Sequence, residues 1–484
     1  MECSRRAFLQ TSACMMGALL SRNVLAEQAA GGKRPNIVII LADDMGWTGP
    51  ACYGSDLHET PNIDRLASEG VRFTQAYAAS PVCTPTRASI MTGKSPARLN
   101  MTIWHEAAIE RLQSKGDKPL APPITETSLG LEYVSLAEVL HGAGYQTAHV
   151  GKWHLGDAEH YPETQGFDVN VGGTLWGAPY TYWHPYHGER VAGNGVREHR
   201  YVPGLALGKE GEYLTDKLTD AALDLLGRMK DKPFFLSMWY HSPHTPIEGK
   251  PELVEHYRKK IKEGMTHKNA NYAAMVHSLD ENVGRILNKL EELGVAEDTM
   301  VVFLSDNGGF DEVRNGEQVT NNVPLRAGKG TLYEGGIRVP AIVKWPGVTP
   351  PNAVCDEPIV STDLYPTVLD ALGVKAADAG CGELDGVSLR PVLEKPSSGL
   401  DRDTLCFHYP HYYFNTGPVS AIRHEDWKLL EYYEDGHLEL YNLKDDLRET
   451  KDLAKEKPDI AADLHERLKH WREKVNARLP EKNT

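Results

Sequence analysis

Ile37-Val38-Ile39-Ile40-Leu41 runs almost directly into Asp43-Asp44, and this stretch decides the architecture. Five consecutive apolar residues without polar alternation describe a strand buried on both faces, as in a parallel sheet. Three further runs fit the same description: Thr147 to Val150, Phe234 to Met238, and Val301 to Leu304. Helical segments separate them. Ser135-Leu136-Ala137-Glu138 is a capping box whose helix is ended by Gly142 and Gly144. Leu279, Val283, Ile286, Leu287 and Leu290 form an apolar stripe closed by Gly294. Alternating strands and helices predict an α/β fold with a large, mostly parallel central sheet and helices on both faces.

A second unit follows the Pro- and Ser-containing stretch near residues 394–399. Ala421 to Tyr433 and His437 to Leu443 flank Asp435-Gly436, a hairpin signal. Ile460, Leu464, Leu468, Trp471 and Val475 repeat at helical spacing. Together they predict a smaller C-terminal α+β domain, an antiparallel sheet with a helix packed on it. The expected division is 1–26 leader, 27–395 main domain and 396–484 small domain.

Ser4-Arg5-Arg6-Ala7-Phe8-Leu9 is a twin-arginine export signature, followed by a short apolar stretch and a Val24-Leu25-Ala26 cleavage site. The apolar stretch is too short to span a bilayer, so the mature chain is expected to carry no membrane anchor. The twin-arginine machinery exports folded chains, which predicts a periplasmic or secreted protein with something to complete before export. With 52 basic against 67 acidic residues, a net −15, the chain is a poor partner for nucleic acid. Any anion site must therefore rest on local cations. Seven cysteines, at 3, 14, 52, 83, 355, 381 and 406, are too scattered for a disulfide framework or a zinc knuckle. The leader takes two of them and leaves an odd number.

Each of the four core strands ends in groups capable of chemistry. They lead to Asp43-Asp44, to Gly151-Lys152-Trp153-His154, to His241-Ser242-Pro243-His244, and to Asp306-Asn307-Gly308-Gly309. Asp306-Asn307-Gly308 alone reads as a tight turn. Four such ends on one sheet read as a shared site, since ligands of open parallel sheets bind beyond the carboxyl ends of the strands. Asp43, Asp44, Asp306 and Asn307 offer only oxygen ligands, suited to a hard cation such as Ca²⁺ or Mg²⁺ rather than zinc, and Ca²⁺, which tolerates irregular ligand sets, fits an exported protein better.

Ser80-Pro81-Val82-Cys83-Thr84-Pro85-Thr86-Arg87, followed by Thr92-Gly93, resembles the C-x-P-x-R signature of the type I sulfatase family. Thr60-Pro61-Asn62-Ile63-Asp64, Gly151-Lys152-Trp153-His154-Leu155-Gly156 and Gly328 to Gly336 extend the resemblance over most of the chain. Thr86 stands where Ser is common and Lys94 where Arg often follows T-G; neither touches the Cys-Pro-Arg core. The resemblance implies an alkaline-phosphatase-like fold and oxidation of Cys83 to formylglycine by a formylglycine-generating enzyme in the cytoplasm. That would account for the odd cysteine and for export after folding. It further implies one Ca²⁺ per chain, held by Asp43, Asp44, Asp306, Asn307 and modified Cys83. Arg87 would neutralise and orient the nucleophile, Lys152 would bind sulfate, and His154 would be the base. His244 and Lys329 would hold the ester oxygens and protonate the departing alcohol. A plain Ser or Cys nucleophile would remain as a stable sulfate ester. A hydrated aldehyde has one hydroxyl to attack sulfur and a second whose deprotonation expels sulfate.

Two aromatic crowds bear on substrate, Trp176 to His187 and Phe407 to Phe414. Rings stack on sugar faces, so Trp176, Trp183, His184, His408 and His411 are candidate contacts for a sulfated carbohydrate or aryl sulfate. The expected pocket lies between the two domains and acts on a chain end. Two alternatives stand beside this reading. A phosphatase or phosphodiesterase of the same superfold usually needs two zincs and an Asp-His-Gly where this chain has Asp306-Asn307-Gly308. A noncatalytic binder of sulfated glycans would result if Cys83 stayed unmodified.

Overall fold

The computed structural model describes residues 34–110, 118–191, 197–205, 207–314, 316–414 and 416–483. The leader motifs lie outside the described residues. The central sheet has nine strands: β1 (Asn36–Ala42), β2 (Val71–Tyr77), β3 (Gln146–Gly151), β4 (Val169–Val171), β5 (Phe234–Trp239), β6 (Thr299–Ser305), β7 (Arg338–Lys344), β8 (Ala353–Cys355) and β9 (Ile359–Val360). Their order is β8-β2-β7-β6-β1-β5-β3-β4, with β9 also beside β2. The four strands predicted from apolar runs are the contiguous centre, β6-β1-β5-β3, all parallel. Only β7 runs against its neighbours.

Burial on both faces is literal in β1. Ile37, Ile39 and Leu41 pack with α2 (Cys83–Thr92), α3 (Leu136–Gly142) and α6 (Leu364–Leu372). Val38, Ile40 and Ala42 pack on the other face with α1 (Pro61–Glu69), α4 (Leu214–Met229) and α5 (Ala270–Glu292). The predicted capping box forms: Ser135 Oγ accepts from the Glu138 N–H, and the Glu138 carboxylate accepts from the Ser135 N–H. Gly294 follows α5 at φ 70°, a conformation that favours glycine.

The second sheet comprises β10 (Thr404–Tyr409), β11 (Val419–His424), β12 (Trp427–Tyr432) and β13 (Leu438–Asn442), antiparallel throughout. Here the sequence reading needs correction. Ala421 to Tyr433 is not one arm of a hairpin but parts of two strands, β11 and β12, reversing at Glu425 (φ 51°). No glycine marks that turn. One face of the sheet packs α7 (Pro458–Lys474) through Leu464 and Leu468 against Ile422, Leu429 and Leu440. Each such buried leucine contributes roughly 1.5–3 kcal/mol. The other face, with Leu405, Phe407, Val419 and Leu430, packs against Tyr77, Val82, Leu332 and Ile337 of the main unit. Among the described residues, no helix is long and apolar enough to cross a membrane.

Candidate active site

Parallel pairing aligns the strand ends, and backbone hydrogen bonds lock the segments that follow. The Asp43 N–H donates to Ser242 O at 3.0 Å, the Asp306 N–H to Ala42 O at 3.1 Å, and the Lys152 N–H to Trp239 O at 2.8 Å. Gly308 lies so close to the Gly328–Gly336 segment that a Cβ there would meet Gly335 O at 1.8 Å. That approach brings Lys329 to the same edge. Asp44 and His154 both adopt left-handed backbone, φ 63° and 62°, uncommon for non-glycine residues and often found at sites.

Arg87, fully buried, binds Asp306 Oδ2 through Nε at 3.0 Å and through a terminal nitrogen at 2.8 Å. It also donates to Lys152 O at 2.8 Å and stacks over Trp239. Lys152 Nζ lies 2.7 Å from Asp43 Oδ2. Lys329 Nζ and Asn307 Nδ2 each lie 2.7 Å from Asp44 Oδ1, and His244 Nε2 lies 3.6 Å from Asp44 Oδ2. Burial works against the ionised Asp44 carboxyl, but Lys329 and His244 outweigh it and hold the group at about 2. Asp43 differs: burial and neighbouring Asp306 push it well above the usual carboxylate range, despite Lys152 and Arg87. Three acidic side chains thus face Arg87, Lys152 and Lys329 in a dry environment.

Two buried oxygens here accept no hydrogen bond, Asp43 Oδ1 and Asn307 Oδ1. Orphaned buried acceptors are costly, and two on one site fit a hard cation. Ligating atoms of Asp43, Asp44 and His244 lie within 4.8 Å of one another. Asp306 is engaged elsewhere, Oδ2 by Arg87 and Oδ1 by the Asp44 N–H at 3.2 Å. The donor set therefore suits a cation such as Ca²⁺, with Asp43 Oδ1 and Asn307 Oδ1 the unpartnered oxygens and the Asp44 carboxylate beside them.

Cys83 opens α2, is 3% exposed, and lines a cavity of about 280 Å³ with Asp44, His154, His244 and Lys329. The other described cysteines, 52, 355, 381 and 406, are free thiols away from this cavity.

Glu106 was not legible in the sequence. Its Oε2 lies 2.6 Å from His154 Nε2, and its Oε1 accepts from the Gly177 N–H at 2.9 Å and Arg200 at 3.4 Å. Burial lowers the His154 imidazole to about 4, with Glu106 opposing. His154 Nδ1 is buried and unpartnered. A lone Glu in an unremarkable helical stretch gives no pattern to read; only the fold brings it to His154.

The aromatic contacts need correction. His408 is buried between Ser420 Oγ at 2.7 Å and Arg478 O at 2.9 Å, and His411 bonds Thr102 Oγ1 at 2.8 Å. Trp183 packs edge-on to Tyr213 in a separate surface depression, and His184 packs against Tyr186. None of the four lines the cavity. Trp176 lies one layer behind it, under the Arg200 guanidinium at 5.2 Å. The aromatic walls are instead Trp104, Phe310, Tyr413 and Phe414. The second crowd does reach the cavity, through Tyr413 and Phe414 rather than its histidines, so both sheets contribute.

A thiol, three cations and an oxygen-rich cluster at the edge of a parallel sheet define a hydrolase of anionic esters. The chain belongs to the sulfatase family: the family model "Sulfatase" matches residues 35–374, and "N-sulphoglucosamine sulphohydrolase, C-terminal" matches 328–474. It is 36% identical to a sulfatase of Formosa agariphila, covering 96% of this chain and 93% of that protein. It is 34% identical to the N-acetylgalactosamine-6-sulfatase of Canis lupus familiaris, covering 79% and 70%. Among solved structures, Ps i-CgsB in complex with k-i-k-neocarrahexaose superposes with a TM-score of 0.73 at 29% identity, covering 91% of this chain and 93% of that one. The protein is a sulfatase, which favours sulfate over the phosphate alternative.

Proposed function

We propose that this sulfatase removes sulfate from a carbohydrate chain end, using formylglycine made from Cys83 and one Ca²⁺ per chain. The observation that carries the reading is the convergence of Cys83, Asp44, His154, His244 and Lys329 on one cavity, beside two orphaned acceptors. Asp43, Asp44 and Asn307 would hold calcium, with Asp306 completing the shell and fixing Arg87. Bound calcium would supply positive charge against sulfate oxygens, and the modified residue would supply a nucleophilic hydroxyl and a second hydroxyl for release.

The chain's own residues do the rest. Lys152 and Lys329, dry and close to the carboxylates, offset charge repulsion where sulfate binds. His154, with Nε2 fixed by Glu106, keeps Nδ1 free to take a proton. His244 Nδ1 is directed to Thr245 O at 2.8 Å, which leaves Nε2 to face the cavity edge and the departing oxygen. A pocket rather than an open groove favours a terminal sugar, and carbohydrate sulfatases among the relatives support the substrate class. The twin-arginine motif supports cytoplasmic maturation followed by export to the periplasm or beyond.

The test is sulfate release from defined sulfated mono- and disaccharides, with peptide mass spectrometry over residue 83. Formylglycine is about 18 Da lighter than Cys, from loss of sulfur and two hydrogens and gain of oxygen. Full retention of the thiol in active enzyme would overturn the reading. Retention in a protein that binds sulfated sugars without turnover would establish the noncatalytic binder instead.

A further inference from the structure

The cavity has a charged mouth whose cations are not equivalent. Arg190 pairs with Glu198 at 3.0 Å, and Arg200 pairs with Glu198 at 2.8 Å and with Glu106 at 3.4 Å. Deeper down, Lys329 is occupied by Asp44. Arg314 also lines the cavity, and among the described residues it has no carboxylate partner. Its guanidinium is held over two rings, Phe310 at 5.0 Å and Phe414 at 5.5 Å. Lys329 Nζ lies 5.9 Å from the centre of the same Phe310 ring, which therefore sits between the buried cation and exposed Arg314. Phe414, 68% exposed, is a large apolar surface at the lip.

We propose that this mouth is a subsite for a second anionic group, sulfate or carboxylate, on the substrate beyond the scissile ester. Arg314 is its specificity-determining contact, and Phe414 is the surface on which the adjoining sugar stacks. A guanidinium stacked on rings keeps its N–H edge free, and that edge matches two oxygens of a sulfate or carboxylate. The rings hold it in place, so little side-chain freedom is lost on binding. Arg190 and Arg200 are already satisfied by acids and do not compete for this role. The inference rests on the carbohydrate reading and sharpens it: the favoured substrate carries at least two negative charges.

The test uses Cys83→Ala protein, which does not hydrolyse the disaccharides, in millimolar Ca²⁺, titrated calorimetrically with disaccharides in matched pairs. Within a pair one member carries a single sulfate; the other adds a second sulfate or, in a separate arm, a carboxylate. The doubly anionic member is expected to bind at least tenfold more tightly. Arg314→Ala and Arg314→Glu in the same background remove that preference, whereas Arg314→Lys keeps part of it. Which arm shows the larger preference identifies the anion. Equal binding within every pair, or a preference that survives Arg314→Glu in folded protein, overturns the subsite. So does a failure of all pairs to bind while the wild type still releases sulfate from 4-nitrophenyl sulfate. If the wild type releases sulfate from no ester at all, the catalytic reading has failed and the subsite falls with it.

Discussion

Glu106 Oε2 and His154 Nε2 are 2.6 Å apart, a carboxylate–imidazole pair that leaves His154 Nδ1 as the free nitrogen. The carboxylate fixes the tautomer and raises the basicity of a ring that burial otherwise depresses. Glu106→Gln is expected to lower kcat about 10- to 100-fold with little change in KM. Because Glu106 raises the His154 value, its loss also moves the acid limb of the kcat profile to lower pH. An unshifted limb would mean that the glutamate is only structural.

Cys83→Ala and Cys83→Ser should each reduce turnover by about 10³-fold or more while leaving the melting temperature within a few degrees. The side chain is small and sits at a helix start, so its removal leaves little cavity. Turnover near wild type in either folded variant counts against residue 83 as nucleophile.

Asn307 Oδ1 and Asp43 Oδ1 have no hydrogen-bond partner among the described residues, and the proposed cation would supply one. Millimolar Ca²⁺ should therefore raise the melting temperature of chelated protein, by about 2.7 kcal/mol of stability at a hundredfold excess over Kd. Asn307→Ala should weaken Ca²⁺ binding by about 10- to 100-fold, measured by calorimetry. A melting temperature indifferent to Ca²⁺ would remove the cation from the site.

His408 bonds through both ring nitrogens and His411 through Nε2, all to groups inside the protein. Alanine at either position is expected to cost about 1–3 kcal/mol of stability and to leave KM within twofold. A large KM change without loss of stability would restore them as substrate contacts.

Lys428 Nζ is shared between two buried carboxylates, Glu334 at 2.9 Å and Glu449 at 2.8 Å. Glu334 also has Arg338 at 3.3 Å, so burial together with Glu334 raises Glu449 to about 7, while Lys428, Arg338 and Arg423 outweigh burial and hold Glu334 at about 2. An unfolded glutamate titrates near 4.3, so between about pH 4.3 and 7 the folded chain holds the extra proton. Stability from this group is therefore lost as pH rises through that window. Glu449→Gln should flatten the change, by a few kcal/mol at most, in denaturant unfolding at pH 5 and pH 8. Identical slopes in both proteins would refute it.

The central sheet was legible because burial on two faces leaves an unbroken apolar run, as in Ile37 to Leu41. The strand-end groups were legible for the same reason: chemistry starts where the apolar run stops. The β11–β12 turn was not, because Glu425 takes a left-handed conformation without glycine to announce it. Glu106 and Arg314 were missed because their partners lie 48 residues away at His154 and across the fold at Phe414. The aromatic crowd near residue 410 was visible, but composition does not say which rings face a cavity.

Gly330 sits against the Tyr413 ring, and a Cβ there would come within 2.0 Å of it. The loop that carries Lys329 is thus moulded onto a side chain from the connection between β10 and β11, so the reacting groups and the lip are separately encoded but physically joined. Exchange of Phe414 at the lip for the residue of a relative would retune which sugars enter while Tyr413, and with it the Lys329 loop, stayed in place. Removal of the whole C-terminal part would instead leave that loop without its mould, and the catalytic half would not be expected to work alone.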